Sequence, residues 1–442
     1  MTTNRIGPIW LQPGITRRNA LTFLYAAFFT IGTVSFMSFM QPYVLSENLL
    51  MPVEEQGRAT GMLSFSYELV MLLLIAPVGA LADKIGRRPI YRLGFLWVGT
   101  AMALFPLAQN LTQLILCRMF FAIGAAMITG MMATVLADYP REKSRGLMVA
   151  LAGMANGTGA MTMVIGMSQL PAWFAEQGYG TLMSGRFTYW VATGLCVVTA
   201  IIVGRGLKAG KPGRKKERQR LSQLLKEGVL AARRNPRIAV ACLEGFIARG
   251  DLVMMATFFS LWANQAGLAA GLSLEEAIAT AGSFLVIMQG SSLLWAPVWG
   301  IVLDRLDRLT AVALAMALAA TGYIWVGLSP SPIVAAFIPA AVMLGIGEFS
   351  AIMSGAALVG QEAPIDIRGS VLGLFNFCGS MGILCITVIG GYFFDKWMPG
   401  GPFVIVGGIN LFVFCVAIIV RRRVGYRSPR VDGALANDKG PE

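Results

Sequence analysis

Apolar residues in this chain fall into twelve long runs, separated by short polar turns, at roughly 21–45, 58–82, 90–108, 111–138, 145–172, 185–205, 237–263, 275–303, 309–328, 332–360, 368–394 and 402–420. A helix needs about 20 apolar residues to cross the hydrocarbon core of a bilayer, and nearly every run reaches that length. Strict period-two alternation is absent and the runs are too long for barrel strands, which excludes a transmembrane β-barrel. The pattern predicts an all-α membrane protein with twelve transmembrane helices.

Composition agrees. The chain has 442 residues, 56% hydrophobic and 13% charged, too few charges to cover a soluble protein of this size. A net charge of +13 could suggest a nucleic-acid partner, but its distribution argues against one. Basic residues crowd Arg5, Arg17 and Arg18, then Lys84, Arg87, Arg88 and Arg92, then Arg141, Lys143 and Arg145, then Lys208 to Arg237, and finally Arg421, Arg422 and Arg423. The intervening loops carry Glu47, Glu54, Glu55, Glu176, Glu275 and Glu276. That alternation predicts both termini and the central loop on the cytoplasmic side of a plasma membrane, the inner membrane in a bacterium. All six cysteines sit inside spans and read as packing residues. The first apolar run is a full span, with no cleavable leader expected before it. Asn110-Leu111-Thr112 forms a glycosylation sequon too close to the bilayer to serve as an acceptor.

The plan is duplicated. Arg145-Gly146-Leu147 opens the fifth span and Arg368-Gly369-Ser370 the eleventh; Ile123-Gly124 in the fourth is matched by Ile346-Gly347 in the tenth. The expected organisation is a tail at 1–20, a six-helix bundle at 21–205, a basic linker at 206–236, a second bundle at 237–422 and a tail at 423–442. Within the linker, Leu221, Leu224, Leu225 and Val229 share one helical face, which predicts an amphipathic helix on the leaflet or a plain tether.

Two motifs carry a resemblance. Gly79-Ala80-Leu81-Ala82-Asp83-Lys84-Ile85-Gly86-Arg87-Arg88 joins the second and third runs, and a looser copy, Gly300-Ile301-Val302-Leu303-Asp304-Arg305-Leu306-Asp307-Arg308, joins the eighth and ninth. The first resembles the loop signature of the major facilitator superfamily. The resemblance implies two pseudo-symmetric six-helix bundles that rock about a central substrate site, and a gating role for Gly79, Asp83, Gly86, Arg87, Arg88, Gly300, Asp304 and Arg308, with Asp138 as a further member. Arg118, followed by Met119-Phe120-Phe121-Ala122-Ile123-Gly124, resembles the span-four signature linked to proton movement in drug–proton antiporters. Gly153 to Ala160 has the glycine spacing of the antiporter span-five signature without its proline, which weakens the exporter reading.

Ionisable groups inside the spans supply the remaining chemistry. Arg118 lies roughly 10 Å into its helix by the usual rise and needs a partner. Span one offers Thr30, Thr33, Ser35, Ser38 and Gln41, and Glu68 is the expected carboxylate partner. With no histidine in the chain, proton coupling falls on Glu68, Glu244, Asp251 and Glu348, all intramembrane acids. Arg249 either pairs with Glu348 or joins Glu244 and Asp251 through a helix break at Gly250. Tyr67, Asn156, Gln289, Trp295 and Asn376 can line a cavity or simply bond helices together. No nucleotide loop, metal cluster or nucleophile–base pair is apparent, so no cofactor, metal or enzymatic activity is expected. The reading is a monomeric transporter of a small organic molecule, coupled to protons and exporting. Proton-coupled uptake of an organic anion is the alternative, and a transporter-like sensor or lipid-handling protein comes third.

Overall fold

The computed structural model describes residues 5–141, 144–210 and 221–426. Lys143, the polar part of the linker (211–220), the tail beyond Tyr426 and the side chain of Asp251 lie outside them. The chain is helical: α1 (Arg17–Phe39), α2 (Gln41–Glu47), α3 (Val53–Ile85), α4 (Arg87–Leu104), α5 (Leu111–Asp138), α6 (Arg145–Glu176), α7 (Thr181–Gly206), α8 (Leu221–Arg234), α9 (Pro236–Val253), α10 (Phe259–Ala269), α11 (Leu274–Arg305), α12 (Arg308–Gly327), α13 (Ile338–Glu362), α14 (Arg368–Lys396) and α15 (Gly401–Val424). Among the described residues, eleven helices are long and apolar enough to cross a membrane. The seventh expected span is in two pieces, α9 and α10, joined by a π-helical turn at Met254–Phe258. Its helix runs on through Gly250, so the break falls beyond the glycine. Gly250 instead gives α14 room, since a Cβ there would collide with Ile386.

The chain forms two compact units, one of Met1–Glu217 with Ala256–Val286 and the other of Arg218–Met255 with Ile287–Glu442. One division falls inside the π-helical turn. In the first unit α1 packs on α6, and α4 packs on α5 and α7; in the second α9 packs on α14, and α12 on α13 and α15. These are equivalent pairs in the duplicated sequence. Glycines seat them: a Cβ on Gly124 would lie 2.9 Å from the Val98 nitrogen in α4, and one on Gly347 2.6 Å from the Ala319 Cα in α12. The repeated Ile-Gly therefore marks the same close helix approach in each unit, where small residues let backbones meet.

Two segments outside the spans are anchored. The N-terminal residues, expected as a tail, form an antiparallel hairpin (Arg5–Ile6 with Ile9–Trp10), and Leu11 bridges Pro140. The Gln12 N–H donates to the Tyr139 carbonyl (2.9 Å) and the Arg141 N–H to the Trp10 carbonyl (2.9 Å). The guanidiniums of Arg5 and Arg141 lie 5.9 and 5.7 Å from the Trp10 ring. This strap fixes the turn that follows Asp138. The linker helix α8 turns its face of Leu224, Gly228 and Ala231 toward protein: the Ser370 hydroxyl donates to the Glu227 carboxylate (2.6 Å), and a Cβ on Gly228 would lie 2.8 Å from that of Leu374. Val229 and Leu230 stay exposed.

Candidate functional site

In the first unit the α3–α4 turn closes on Gly86, whose φ of +103° is a conformation that favours glycine. A Cβ there would also lie 2.9 Å from the Gly210 carbonyl. The turn delivers Arg87 to two carboxylates: Asp138, at the end of α5, at 2.8 Å, and Asp83, one helical turn back, at 3.9 Å. The tighter contact crosses between helices. Next to it, burial holds the Tyr139 phenol above its ordinary range, and its oxygen accepts from the Lys208 N–H at 3.2 Å. Gly79 lies one turn before Asp83 on α3, and Arg88 follows Arg87 onto α4.

The second copy is built differently. Asp304, the equivalent of Asp83, is 82% exposed and sits 3.7 Å from Arg308 within its own chain turn. Arg308 also donates to the Leu303 carbonyl. Gly300 faces open space, so no close approach explains it. The buried acid is Asp307, which caps α12 by accepting from the Thr310 N–H (3.3 Å) and receives Arg237 from the start of α9 at 2.8 Å. Arg237 also lies 3.5 Å from Glu362 at the end of α13 and donates to the Gly425 carbonyl at 2.9 Å. Asn235 completes the cluster by donating to Glu362 (2.9 Å). All three charged side chains are almost fully buried.

Sequence reasoning missed Arg237, Asp307 and Glu362. The duplication held the signal: Asp138 lies 14 residues after Gly124, and Glu362 lies 15 after Gly347. Both units thus bring a carboxylate from the end of the fourth or tenth span to the adjoining turn. The arginine comes from the turn in one unit and from the seventh span in the other.

Within the spans, Arg118 does not pair with Glu68. Its guanidinium, 1% exposed, donates to the Ser38 hydroxyl on α1 at 2.8 Å and lies 4.8 Å from the centre of the Tyr67 ring and 5.5 Å from that of Phe121. Its Nε and Nη1 have no hydrogen-bond partner. Span one therefore supplies a hydroxyl partner, and aromatic faces take the place of a carboxylate. Glu68 is buried on α3 beside that assembly.

The second unit does not pair Arg249 with Glu348 either. Arg249 crosses to α14 and donates to the Asn376 amide oxygen at 2.6 Å, and its stem fills the space left by Gly379. Glu244, fully buried, lays its carboxylate against Gly355 of α13. Glu348 stands two turns away on that face of α13, 3% exposed, and forms no ion pair among the described residues.

The expected cavity residues separate into two kinds. Trp295 donates to Ser350 (3.0 Å), and Trp299, one turn on, donates to Ser354 (3.1 Å), a ladder that fastens α11 to α13. With its amide turned so that the nitrogen faces the carbonyls, Asn156 donates to the Ala27 carbonyl at 3.0 Å and joins α6 to α1. These two bond helices. Tyr67 instead faces the buried Arg118, exposed Asn376 faces the half-buried Arg249, and Gln289 is half-buried on α11.

A family model described as Major Facilitator Superfamily matches residues 21–384 and 277–437. The chain is 25% identical over 417 residues to the magnetosome protein MamH of Paramagnetospirillum magneticum, covering 92% of this chain and 93% of that one. It is 26% identical over 387 residues to MamZ of the same organism, covering 85% of this chain but 58% of MamZ. The multidrug transporter protein MdtP of Bacillus subtilis is 27% identical over 150 residues, 33% of this chain and 25% of MdtP. Among solved structures, the nucleoside transporter NupG superposes with a TM-score of 0.70 at 13% identity, covering 92% of this chain and 99% of NupG; at that identity the likeness shows the fold alone.

Proposed function

The chain belongs to the major facilitator superfamily and is a non-enzymatic membrane transporter of that type, and from that premise we propose that it exchanges protons for a small organic molecule, which it exports by alternating access. The observation that carries the coupling is Glu348, a carboxyl nearly sealed inside α13 without an ion-pair partner among the described residues. Intramembrane carboxyls of this kind are where transporters carry protons. Glu68, Glu244 and Asp251 are the other acids available. Arg87, with Asp83 and Asp138, acts as a latch specific to one conformational state, because a contact of partly exposed charges can be made and broken at small cost. Export is supported by the drug-antiporter resemblance of the loop and span-four motifs and by the partial likeness to MdtP. We place both termini in the cytoplasm and the protein, as a monomer, in the plasma membrane. The likeness to two proteins named for magnetosomes favours the magnetosome membrane as an alternative location, which membrane fractionation would distinguish.

A second reading, proton-coupled uptake of an organic anion, is favoured by Arg118, whose Nε and Nη1 are free to grip a carboxylate. A thermal-shift ligand screen on the purified protein at two pH values separates the two. A ligand at 100 times its Kd stabilises the native state by about 2.7 kcal/mol. In an exchanger, proton and substrate compete, so the ligand-induced shift grows as pH rises; in a symporter it grows as pH falls. Hits whose shift ignores pH would remove proton coupling from both readings.

A further inference from the structure

The α3–α4 turn, the first turns of α4 and the end of α7 line an open cleft of about 460 Å³ that the transport reading does not use. Its polar wall is Arg88 and Arg92, four residues apart and therefore on one face of α4. Its outer wall is Ile85 and Leu93, 47% and 44% exposed. Its back is bare backbone at Gly204 and Gly210. A Cβ on Gly204 would lie 3.0 Å from the Cδ of Arg92, so the missing side chain is what lets that arginine lie along α7. The segment through Gly210 bounds the cleft against Gly86. Among the described residues, no acidic one lines it. Neither arginine forms an ion pair among the described residues; the nearby carboxylates, Asp83 and Asp138, both face Arg87.

We propose that this cleft binds the phosphate headgroup of an anionic phospholipid, with its acyl chains lying over Ile85 and Leu93. Guanidinium groups match phosphate oxygens in a two-pronged geometry, and two of them on one helix face present a doubly charged receptor. Free phosphate offers the same oxygens but gives the exposed apolar wall nothing to cover. A zwitterionic headgroup brings an ammonium group for which the described lining holds no acid. The anionic lipid satisfies both walls at the membrane boundary, the depth at which basic residues meet headgroups.

The test is native mass spectrometry of the full chain in detergent, titrated with phosphatidylglycerol, phosphatidylcholine and inorganic phosphate. Bound phosphatidylglycerol should exceed phosphatidylcholine by about 25-fold, about fivefold for each of two basic residues near an anionic headgroup, and Arg92→Gln should lower that ratio to about fivefold. Arg88→Gln combined with Arg92→Gln should bring the ratio close to one. Arg423→Gln, at the far end of the chain, should leave it unchanged. The lipid-free melting temperature shows whether each variant folds; should the double variant fail, Arg92→Gln alone decides, its side chain being exposed. Equal binding of the two lipids, full displacement of lipid by equimolar phosphate, or an equal loss in Arg423→Gln would overturn the proposal.

Discussion

At the scale of single residues, the two copies of the loop motif make opposite demands on their acids. Asp307 is fully buried against Arg237. Removing one partner of a buried ion pair leaves the other charge uncompensated and costs about 3–5 kcal/mol. Asp307→Asn should therefore lower the melting temperature sharply, whereas Asp304→Asn, on an 82% exposed side chain, should leave it unmoved. Equal melting of the two variants would show that the buried cluster contributes nothing. In the first unit, Asp83→Asn and Asp138→Asn should insert and melt normally yet lose transport of a ligand found by the screen, because their contacts with Arg87 are partly exposed and serve one conformational state. Near-normal transport by both would reduce the turn to a hairpin staple. The sequence made Asp83, Arg87 and Asp138 legible through their motif. It misplaced the partner of Arg118 and did not foresee Asn376 beside Arg249, since a charge in a span announces only that it needs a partner. A hydroxyl on Ser38, a ring at Tyr67 or an amide on Asn376 becomes that partner through helix rotation, which apolar runs do not encode.

At the scale of elements, glycines decide which helices can touch. A Cβ on Gly159 of α6 would overlap the Phe28 carbonyl of α1, and one on Gly382 of α14 would overlap the Phe246 carbonyl of α9. These contacts seat equivalent helix pairs of the two units. Gly159→Ala and Gly382→Ala should each destabilise by about 1–3 kcal/mol, the usual cost of overpacking, while Gly166→Ala on α6, with nothing within 4 Å, should not. Normal thermal stability in both of the first two variants would mean the helix pairs can separate freely. The repeat made Gly124 and Gly347 legible in sequence. The π-helical turn at Met254–Phe258 was not, because a run of Met, Ala, Thr and Phe reads equally well as unbroken helix. The docking of α8 was equally hidden. An amphipathic face says that something apolar will cover it, and the choice between a leaflet and α14 rests on small details such as the Ser370–Glu227 hydrogen bond.

At the scale of the whole molecule, fold class followed from run length alone, since only helices satisfy their own backbone inside a bilayer. The compact units were less legible, because Ala256–Val286 groups with the first half of the chain through contacts that no linker composition marks. Coupling is a property at this scale. If one intramembrane acid carries the proton, its replacement by glutamine should abolish accumulation driven by a pH gradient but spare counterflow of labelled for unlabelled substrate, because exchange moves no net proton. Glu348→Gln is the first choice, since that carboxyl is sealed within α13 and forms no ion pair among the described residues. A static packing role would impair both assays together, so their separation in reconstituted vesicles identifies the coupling acid rather than a damaged fold. Retention of gradient-driven transport by all four variants, Glu68→Gln, Glu244→Gln, Asp251→Asn and Glu348→Gln, would exclude carboxylate-borne coupling. Facilitated diffusion or a different driving ion would then be the mechanism, since the chain has no histidine to take the proton instead.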